Sequence, residues 1–89
     1  MFELLISKRA SNQFKKLPKE HQKALILAFE EIIEEPLMGK PLTDELSAQF
    51  SFRVGFYRIV YKVNQKDDKI LVLRVGHRGK VYNYSLPRI

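Results

Sequence analysis

The amino-terminal part of the chain changes from a strand-like to a helix-like pattern of apolar positions. Residues 2–6 are short and apolar, which is typical of a β-strand. Apolar side chains then recur at intervals of four and three, the spacing of one helical stripe: Ala10, Phe14 and Leu17. Ser7 precedes this stripe as a candidate N-cap, and a second amphipathic stripe occupies residues 20–35 and ends at Pro36. Because Pro18 can begin a helix but cannot continue one, the pattern predicts two helices in an antiparallel hairpin.

The carboxy-terminal half changes to a period of two. Apolar and polar residues alternate along three segments: residues 50–54, 57–63 and 71–75. Short connections between them predict an antiparallel meander. The alternation turns one set of side chains toward the helices: Phe50, Phe52, Tyr57, Ile59, Tyr61, Leu71, Leu73 and Val75. The order β-α-α-β-β-β over residues 1–89 predicts a single α+β domain, an antiparallel sheet with the helical hairpin packed on one face.

Charge is distributed unevenly along the chain, whose net charge is +6. Residues 1–45 carry seven basic and eight acidic side chains, whereas residues 46–89 carry nine basic and two acidic ones. The alternation collects the basic residues of the strands on the face away from the helices: Arg53, Arg58, Lys62 and Arg74, with Arg78 following on the same side. Because like charges on neighbouring strands destabilise a sheet, this face is interpreted as a phosphate-binding surface. The alternative is that each arginine lies flat over apolar side chains such as Val60, Ile70 or Val72.

Several classes of protein are disfavoured by composition. With two isolated histidines and no cysteine, the sequence contains no set of metal ligands, and we expect neither a metal nor a cofactor. The longest apolar run has six residues, and the first residues lack the features of a signal peptide. We therefore expect a cytoplasmic protein without a membrane partner. The glutamates between residues 30 and 35 are interpreted as a solvated helix face.

Residues 77–82 place an imidazole, a guanidinium, an ammonium and a phenol close together at the end of the last strand. They are contributed by His77, Arg78, Lys80 and Tyr82. Surrounding cations favour a phenolate, so Tyr82 is a candidate proton acceptor. The alternative is that Tyr82 only packs against the fold.

Two sequence blocks resemble a known family. Residues 53–61 (RVGFYRIVY) and residues 75–82 (VGHRGKVY) are similar to the RelE branch of the RelE/ParE toxin superfamily, as are residues 14–18 and 36–42. The resemblance implies a microbial-ribonuclease-like fold and metal-independent cleavage of mRNA in the ribosomal A site. It also implies a small acidic RelB-like antitoxin, with operator DNA bound only through the antitoxin complex.

The resemblance also implies roles for individual residues. Arg58 matches the family's phosphate-stabilising arginine, Arg78 the arginine near the leaving group, and Tyr82 the tyrosine that activates the 2′-OH. Further RNA-binding positions are expected at Arg53, Lys62, Arg74 and Lys80, and along one stripe of the first helix at Lys8, Lys15 and Lys19. For that helical stripe, an ordinary solvated face is the alternative.

The chain departs from the family pattern at two places. Gln49 and Ser51 stand where the best-known catalytic pattern has lysines. The Gly-Lys-Pro segment continues with Leu42 where related members have a glutamate, while Asp44 and Glu45 lie slightly downstream. Either His77 takes a proton-transfer role, although its parity directs it toward the helices, or the nuclease is weak. Two other functions stay open: a ParE-like inhibitor of a DNA topoisomerase without nuclease activity, and a degenerate toxin that binds only antitoxin and operator.

Overall fold

The computed structural model describes residues 1–42 and 49–77. In chain order the elements are β1 (Glu3–Ile6), α1 (Lys8–Lys15), α2 (Lys19–Glu34), β2 (Lys40–Pro41), β3 (Gln49–Val54), β4 (Tyr57–Asn64) and β5 (Lys69–His77). Neither described helix has the length and apolar character needed to cross a bilayer.

The two helices form where local sequence signals begin and end them. The Oγ of Ser7 accepts a hydrogen bond from the amide of Ala10 at 3.1 Å, which confirms the predicted N-cap of α1. Pro18 stands immediately before α2, and the Nε2 of Gln22 donates to the carbonyl of Leu17 at 2.9 Å across the junction. These short-range contacts let the second helix reverse direction directly after the first.

The sheet has five strands in the order β1-β5-β4-β3-β2. Strands β2 to β5 pair antiparallel, whereas β1 pairs parallel with β5. The predicted α+β class is thus confirmed, but the sheet is mixed rather than antiparallel throughout. After β1 the chain passes through both helices and re-enters the same sheet at its opposite edge as β2. Strand β1 itself pairs with the edge of β5 that would otherwise be free.

A bulge between Val60 and Tyr61 changes which side chains of β5 reach the core. On β5, Arg74 pairs with Val60 and Val72 pairs with Tyr61, so one additional residue lies between these two pairs. The prediction that Leu71 and Leu73 face the helices is therefore wrong. One extra residue reverses the side-chain alternation, and the fully buried Ile70 and Val72 take the core positions instead.

The bulge also ties β5 to the first helix. Where the ladder is interrupted, the carbonyl of Leu73 accepts a hydrogen bond from the Oγ of Ser7 at 3.1 Å. The amide of Val75 donates to the Oε1 of Gln13 at 2.9 Å. Side chains of α1 and its N-cap thus satisfy backbone groups beside the bulge.

The core lies between the two helices and one face of the sheet. Buried residues of both helices contact buried residues of the two central strands: Ala10, Leu25, Ala28, Phe29, Ile32, Ile59, Tyr61, Val63, Ile70, Val72 and Val75. Both helices thus cover the same face, as predicted, and the opposite face of β3 to β5 has no helix packed on it among the described residues.

Candidate functional site

The candidate site is the helix-free face of β3, β4 and β5, here called the basic face. Register aligns Arg53 with Arg58 and Gly76 in one row across the three strands. The neighbouring row contains Ser51, Val60 and Arg74. Directly opposed side chains have Cβ atoms about 4.5–5.5 Å apart, and diagonal ones lie within about 7–8 Å. The predicted cationic positions 53, 58 and 74 therefore lie on one continuous surface.

Arg58 occupies the centre of the basic face and is the most buried of its cations. Only 6% of the residue is exposed, and its Nη1 donates a 3.0 Å hydrogen bond to the Oγ of Ser51. Ser51 is itself only 2% exposed. Because Gly76 is aligned with Arg58 and has no side chain, the row leaves space for the guanidinium. Arg58 is thus inserted into the surface, whereas the alternation alone suggested a side chain projecting into solvent.

The other cations of the basic face are more accessible. Arg53 and Lys62 are exposed, and Arg74 is half-buried. Val60, which lies between Ser51 and Arg74 in its row, is buried although it belongs to the face away from the helices. Apolar surface beneath the cations was one of the two interpretations of this face, and Val60 provides it. Val72 and Ile70 do not, because the bulge turns them into the core.

Strands β3, β4 and β5 contain no acidic residue. Asp67 and Asp68 lie in the turn between β4 and β5, where the Nδ2 of Asn64 donates to Asp67 at 3.1 Å. Asn64 is six residues along β4 from Arg58, roughly 20 Å at the rise of a strand. Positions 44 and 45 lie outside the described residues. The strands themselves therefore contribute a positive potential at the basic face, which attracts anions.

His77 lies at the end of β5 in an aromatic cluster that sequence reasoning did not predict. Register pairs His77 with Tyr57 on the helix side, the side its parity indicates, and the two rings meet edge-on with centroids 6.3 Å apart. The ring of Phe56 lies parallel to that of His77, with centroids 6.4 Å apart. The Nδ1 of His21 is 2.6 Å from the hydroxyl of Tyr57, so the cluster is anchored to the first turn of α2. The sequence did contain a signal for this cluster. Tyr57 and His77 both have the parity of the helix side, and the antiparallel pairing of β4 with β5 brings these two strand ends together.

Gly39 and Tyr61 join the segment after α2 to the sheet beside the site. The buried hydroxyl of Tyr61 donates to the carbonyl of Pro36 at 2.8 Å. Burial raises the pKa of Tyr61, and a hydrogen bond from the Gly39 backbone opposes this in part. A Cβ on Gly39 would lie 2.5 Å from the Tyr61 hydroxyl and 3.1 Å from the carbonyl oxygen of Ser51. The close approach that glycine permits thus packs this segment against the residue that binds Arg58.

The predicted cationic stripe of the first helix is divided between two helices. Lys8 and Lys15 are exposed on α1, where seven residues separate them and place them on the same side. Lys19 is exposed but begins α2, because Pro18 ends the first helical stripe. The prediction of one continuous stripe that includes Lys19 is therefore wrong. The predicted site residues Arg78, Lys80 and Tyr82 lie outside the described residues.

Comparison with known proteins decides the family. Residues 4–82 match the sequence profile described as ParE toxin of type II toxin-antitoxin system, parDE. The chain belongs to this toxin family. The toxin is 39% identical over 75 residues to Toxin RelG of Mycobacterium tuberculosis, an alignment that covers 82% of this chain and 86% of RelG. The RelE/ParE superfamily indicated by residues 53–61 and 75–82 is thus confirmed.

Solved structures of relatives have the same fold as the toxin. The RelBE2 toxin-antitoxin complex of Mycobacterium tuberculosis matches with a TM-score of 0.76 and 35% identity, over 86% of this chain and 98% of that one. The archaeal RelE-RelB complex of Pyrococcus horikoshii matches with a TM-score of 0.73 and 27% identity, over 89% and 97% of the two chains. Both relatives are complexes of a toxin with an antitoxin.

Proposed function

We propose that this toxin is a metal-independent endoribonuclease that cleaves mRNA in the ribosomal A site and thereby stops translation. The observation that carries the proposal is the insertion of Arg58 into the basic face, hydrogen-bonded to Ser51 and aligned with Arg53. A cation held in a partly dehydrated position needs no rearrangement to stabilise charge that develops on a bound phosphate. A fixed guanidinium also presents its donors in the geometry that phosphate oxygens accept.

The reaction that suits such a face is attack by the neighbouring 2′-oxygen on phosphorus. The bond from the 2′-oxygen to phosphorus forms while the bond to the 5′-oxygen breaks, which leaves a 2′,3′-cyclic phosphate. A base removes the proton of the 2′-OH, and the departing 5′-oxygen takes up a proton. Arg58 stabilises the negative charge of the phosphorane, Arg78 assists the leaving group, and Tyr82 is the base or orients it. His77, directed to the helix side, is the second candidate for proton transfer.

The remaining cations are assigned to RNA binding. Arg53, Lys62 and Arg74 follow the mRNA strand over the basic face, and Lys80 extends this surface. Exposed Lys8, Lys15 and Lys19 contact ribosomal RNA, a binding mode whose affinity falls steeply with salt. For neutralisation we propose a small acidic RelB-like antitoxin, since the relatives of known structure are toxin-antitoxin complexes and this chain has a net charge of +6. Operator DNA is then bound only through that complex.

The test is cleavage of a defined mRNA on programmed ribosomes, mapped by primer extension. An Arg58→Ala, Arg78→Ala double variant and the single variant Arg58→Lys are compared with the wild type, after circular dichroism has shown that each is folded. Removing electrostatic stabilisation at the reacting phosphate is expected to slow single-turnover cleavage about 10²–10³-fold. Lys66→Gln, an exposed turn residue outside the basic face, is the matched control for loss of charge. Cleavage by the double variant at the wild-type rate would refute the assigned roles.

A ParE-like activity is the second candidate, because the family profile that matches residues 4–82 is that of ParE toxin. On this alternative the toxin inhibits a DNA topoisomerase and cleaves no RNA. A gyrase supercoiling assay with purified toxin, run beside the ribosome assay, separates the two. Inhibited supercoiling with intact mRNA would assign the toxin to the ParE function.

A further inference from the structure

Of the aromatic cluster at the β3–β4 turn, the proposed cleavage reaction uses only His77, as the second candidate for proton transfer, and it gives Phe56 no role. Phe56 is 77% exposed at the tip of this turn, although it is a large apolar side chain. Its ring lies parallel to that of His77, with an interplanar angle of 2° and centroids 6.4 Å apart. We propose that Phe56 and His77 form a stacking site for an unpaired RNA base next to the basic face. The proposal rests on RNA being the substrate, and it identifies the residues that hold a base rather than a phosphate.

The rings are organised before any ligand binds. The edge of His77 meets Tyr57 at an interplanar angle of 74°, and Tyr57 is held by the 2.6 Å contact of its hydroxyl with His21. Gly55 has a φ of +57°, the conformation that the first position of a two-residue type II′ hairpin reserves for glycine. This turn holds Phe56 at a defined position. Because Phe and His have few rotatable bonds, a base that stacks here loses little binding energy to ordering the protein.

The β3–β4 turn that holds Phe56 lies next to cations of the basic face, and this position favours nucleic acid as the ligand. Val54 pairs with Tyr57 next to the Arg53–Arg58 pair, so the turn begins one residue pair beyond the central row of the basic face. Aromatic rings interleaved with basic side chains are typical of surfaces that bind single strands, where bases stack and phosphates meet cations. Phe56 at the tip of the turn is therefore the part of the cluster that a strand reaches from a phosphate on Arg53 or Arg58, whereas the ring of His77 stacks with Phe56 from the helix side.

The surroundings of Phe56 argue against an apolar protein ligand as its occupant. The other large apolar side chains exposed among residues 1–42 and 49–77 belong to β1, to α2 and to the segment after it, and the amino terminus adds Met1. Among the described residues, strands β3 and β4 and the turn between them thus expose no other large apolar side chain, while Arg53 stands three residues before Phe56. An exposed aromatic ring near cations favours a π-face ligand over a hydrophobic helix.

The test measures binding of a single-stranded RNA hexamer that carries 2-aminopurine, whose fluorescence is quenched when the base stacks. A second hexamer of the same charge is abasic at that position. Phe56→Ala is expected to raise Kd for the first hexamer about 5- to 150-fold, the range that base–aromatic stacking contributes on alanine substitution, and to leave the abasic hexamer unaffected. Phe56→Tyr, which keeps the ring, is expected to retain the quenching.

Salt dependence separates stacking from charge. For single-stranded nucleic acid, each lost phosphate contact changes the slope of log affinity against log salt by about 0.7. Arg53→Gln is expected to change this slope, and Phe56→Ala to lower affinity at every salt concentration without changing it. Leu27→Ala removes another exposed apolar side chain, 62% accessible on α2, and is the matched control. Because both sites are exposed, unchanged melting temperatures verify that the variants are folded.

The outcomes distinguish this inference from the proposed nuclease activity. Equal affinity of wild type and Phe56→Ala for the 2-aminopurine hexamer overturns the stacking site, even if mRNA is cleaved normally. Equal loss of affinity for the abasic hexamer overturns it as well, since the effect is then not base stacking. Weakened binding of a RelB-like antitoxin by Phe56→Ala with RNA binding intact assigns Phe56 to the protein partner instead. Ring-dependent quenching by a toxin that cleaves no mRNA supports the stacking site and refutes only the nuclease.

Discussion

Replacing Gly39 by alanine tests whether the close contact between Gly39 and Tyr61 organises the segment beside the candidate site. An added Cβ would lie 2.5 Å from the Tyr61 hydroxyl, 3.1 Å from the Ser51 carbonyl oxygen and 3.3 Å from the Cβ of Phe50. Two of these neighbours belong to β3 and cannot rotate away. The hydroxyl can move only by giving up its 2.8 Å hydrogen bond to the carbonyl of Pro36.

The size of the effect follows from these contacts. Inserting a methyl group into a packed interior costs about 1–3 kcal/mol, and a buried hydrogen-bonding group left without its partner costs about 1–3 kcal/mol. The smaller entropy of an unfolded chain with alanine offsets only about 0.4–1 kcal/mol. We expect Gly39→Ala to lower the free energy of unfolding by about 1–5 kcal/mol, the sum of these contributions. For a domain of this size, the melting temperature then falls by at least about 4 °C.

A double-mutant cycle with Tyr61→Phe identifies the cause. Tyr61→Phe alone is destabilising, because it leaves the buried Pro36 carbonyl without its donor. In the Tyr61→Phe background the most severe clash of Gly39→Ala is absent, so we expect the second substitution to cost at least about 1 kcal/mol less than in the wild type. Urea unfolding followed by circular dichroism measures all four proteins.

Gly55→Ala is the matched control for this cycle. A Cβ there would have no atom within 4 Å, but the φ of +57° is unfavourable for alanine, which costs about 1–2 kcal/mol. Its effect is expected to be the same in both backgrounds within about 0.5 kcal/mol, as for independent sites. If Gly39→Ala is also additive with Tyr61→Phe, the steric explanation is wrong.

Three further predictions concern single hydrogen bonds and one ion pair. Ser51→Ala removes the acceptor of Arg58 and is expected to lower stability by about 1.5–3 kcal/mol, the range for hydrogen bonds to charged groups, and to slow mRNA cleavage; an unchanged rate in the ribosome assay would show that Arg58 does not depend on this contact. Ser7→Ala removes the N-cap of α1 and is expected to cost about 0.5–2 kcal/mol in thermal unfolding, and a variant as stable as the wild type would contradict the capping role. The exposed Glu3–Lys69 pair, 2.7 Å apart, lowers the pKa of Glu3 and raises that of Lys69. The stabilisation by this pair is therefore fully present above the unfolded-state pKa of Glu3, and it is lost as the pH falls through the lowered pKa of Glu3 in the folded state. On the alkaline side, it is lost as the pH rises through the raised pKa of Lys69 in the folded state. Glu3→Gln is expected to abolish this small acid-side dependence and its sensitivity to salt.

Much of the fold was predictable because its signals are local. The stripes around residues 10–17 and 20–35 correspond to helices Lys8–Lys15 and Lys19–Glu34, and the alternating segment at 57–63 to strand Tyr57–Asn64. Such patterns depend on neighbours a few residues apart, so the amphipathic period, a cap and a proline suffice to locate an element. For the same reason the placement of Arg53 and Arg58 on one face followed from alternation across a two-residue turn.

Only the tertiary structure decided the features that depend on distant partners. The bulge beside Val60 moves Leu71 out of the core, because a single extra residue reverses the parity of a strand, and no local pattern announces it. The depth of Arg58 depends on Ser51 and on the glycine at position 76, which two other strands bring alongside it. Sequence by itself therefore determined where the helices and the three long strands form, and which side chains of β3 and β4 share a face. Burial, the mixed pairing of the sheet and the aromatic cluster at its end arise from contacts between residues far apart in the chain, whose alignment is set by the packing of the whole domain.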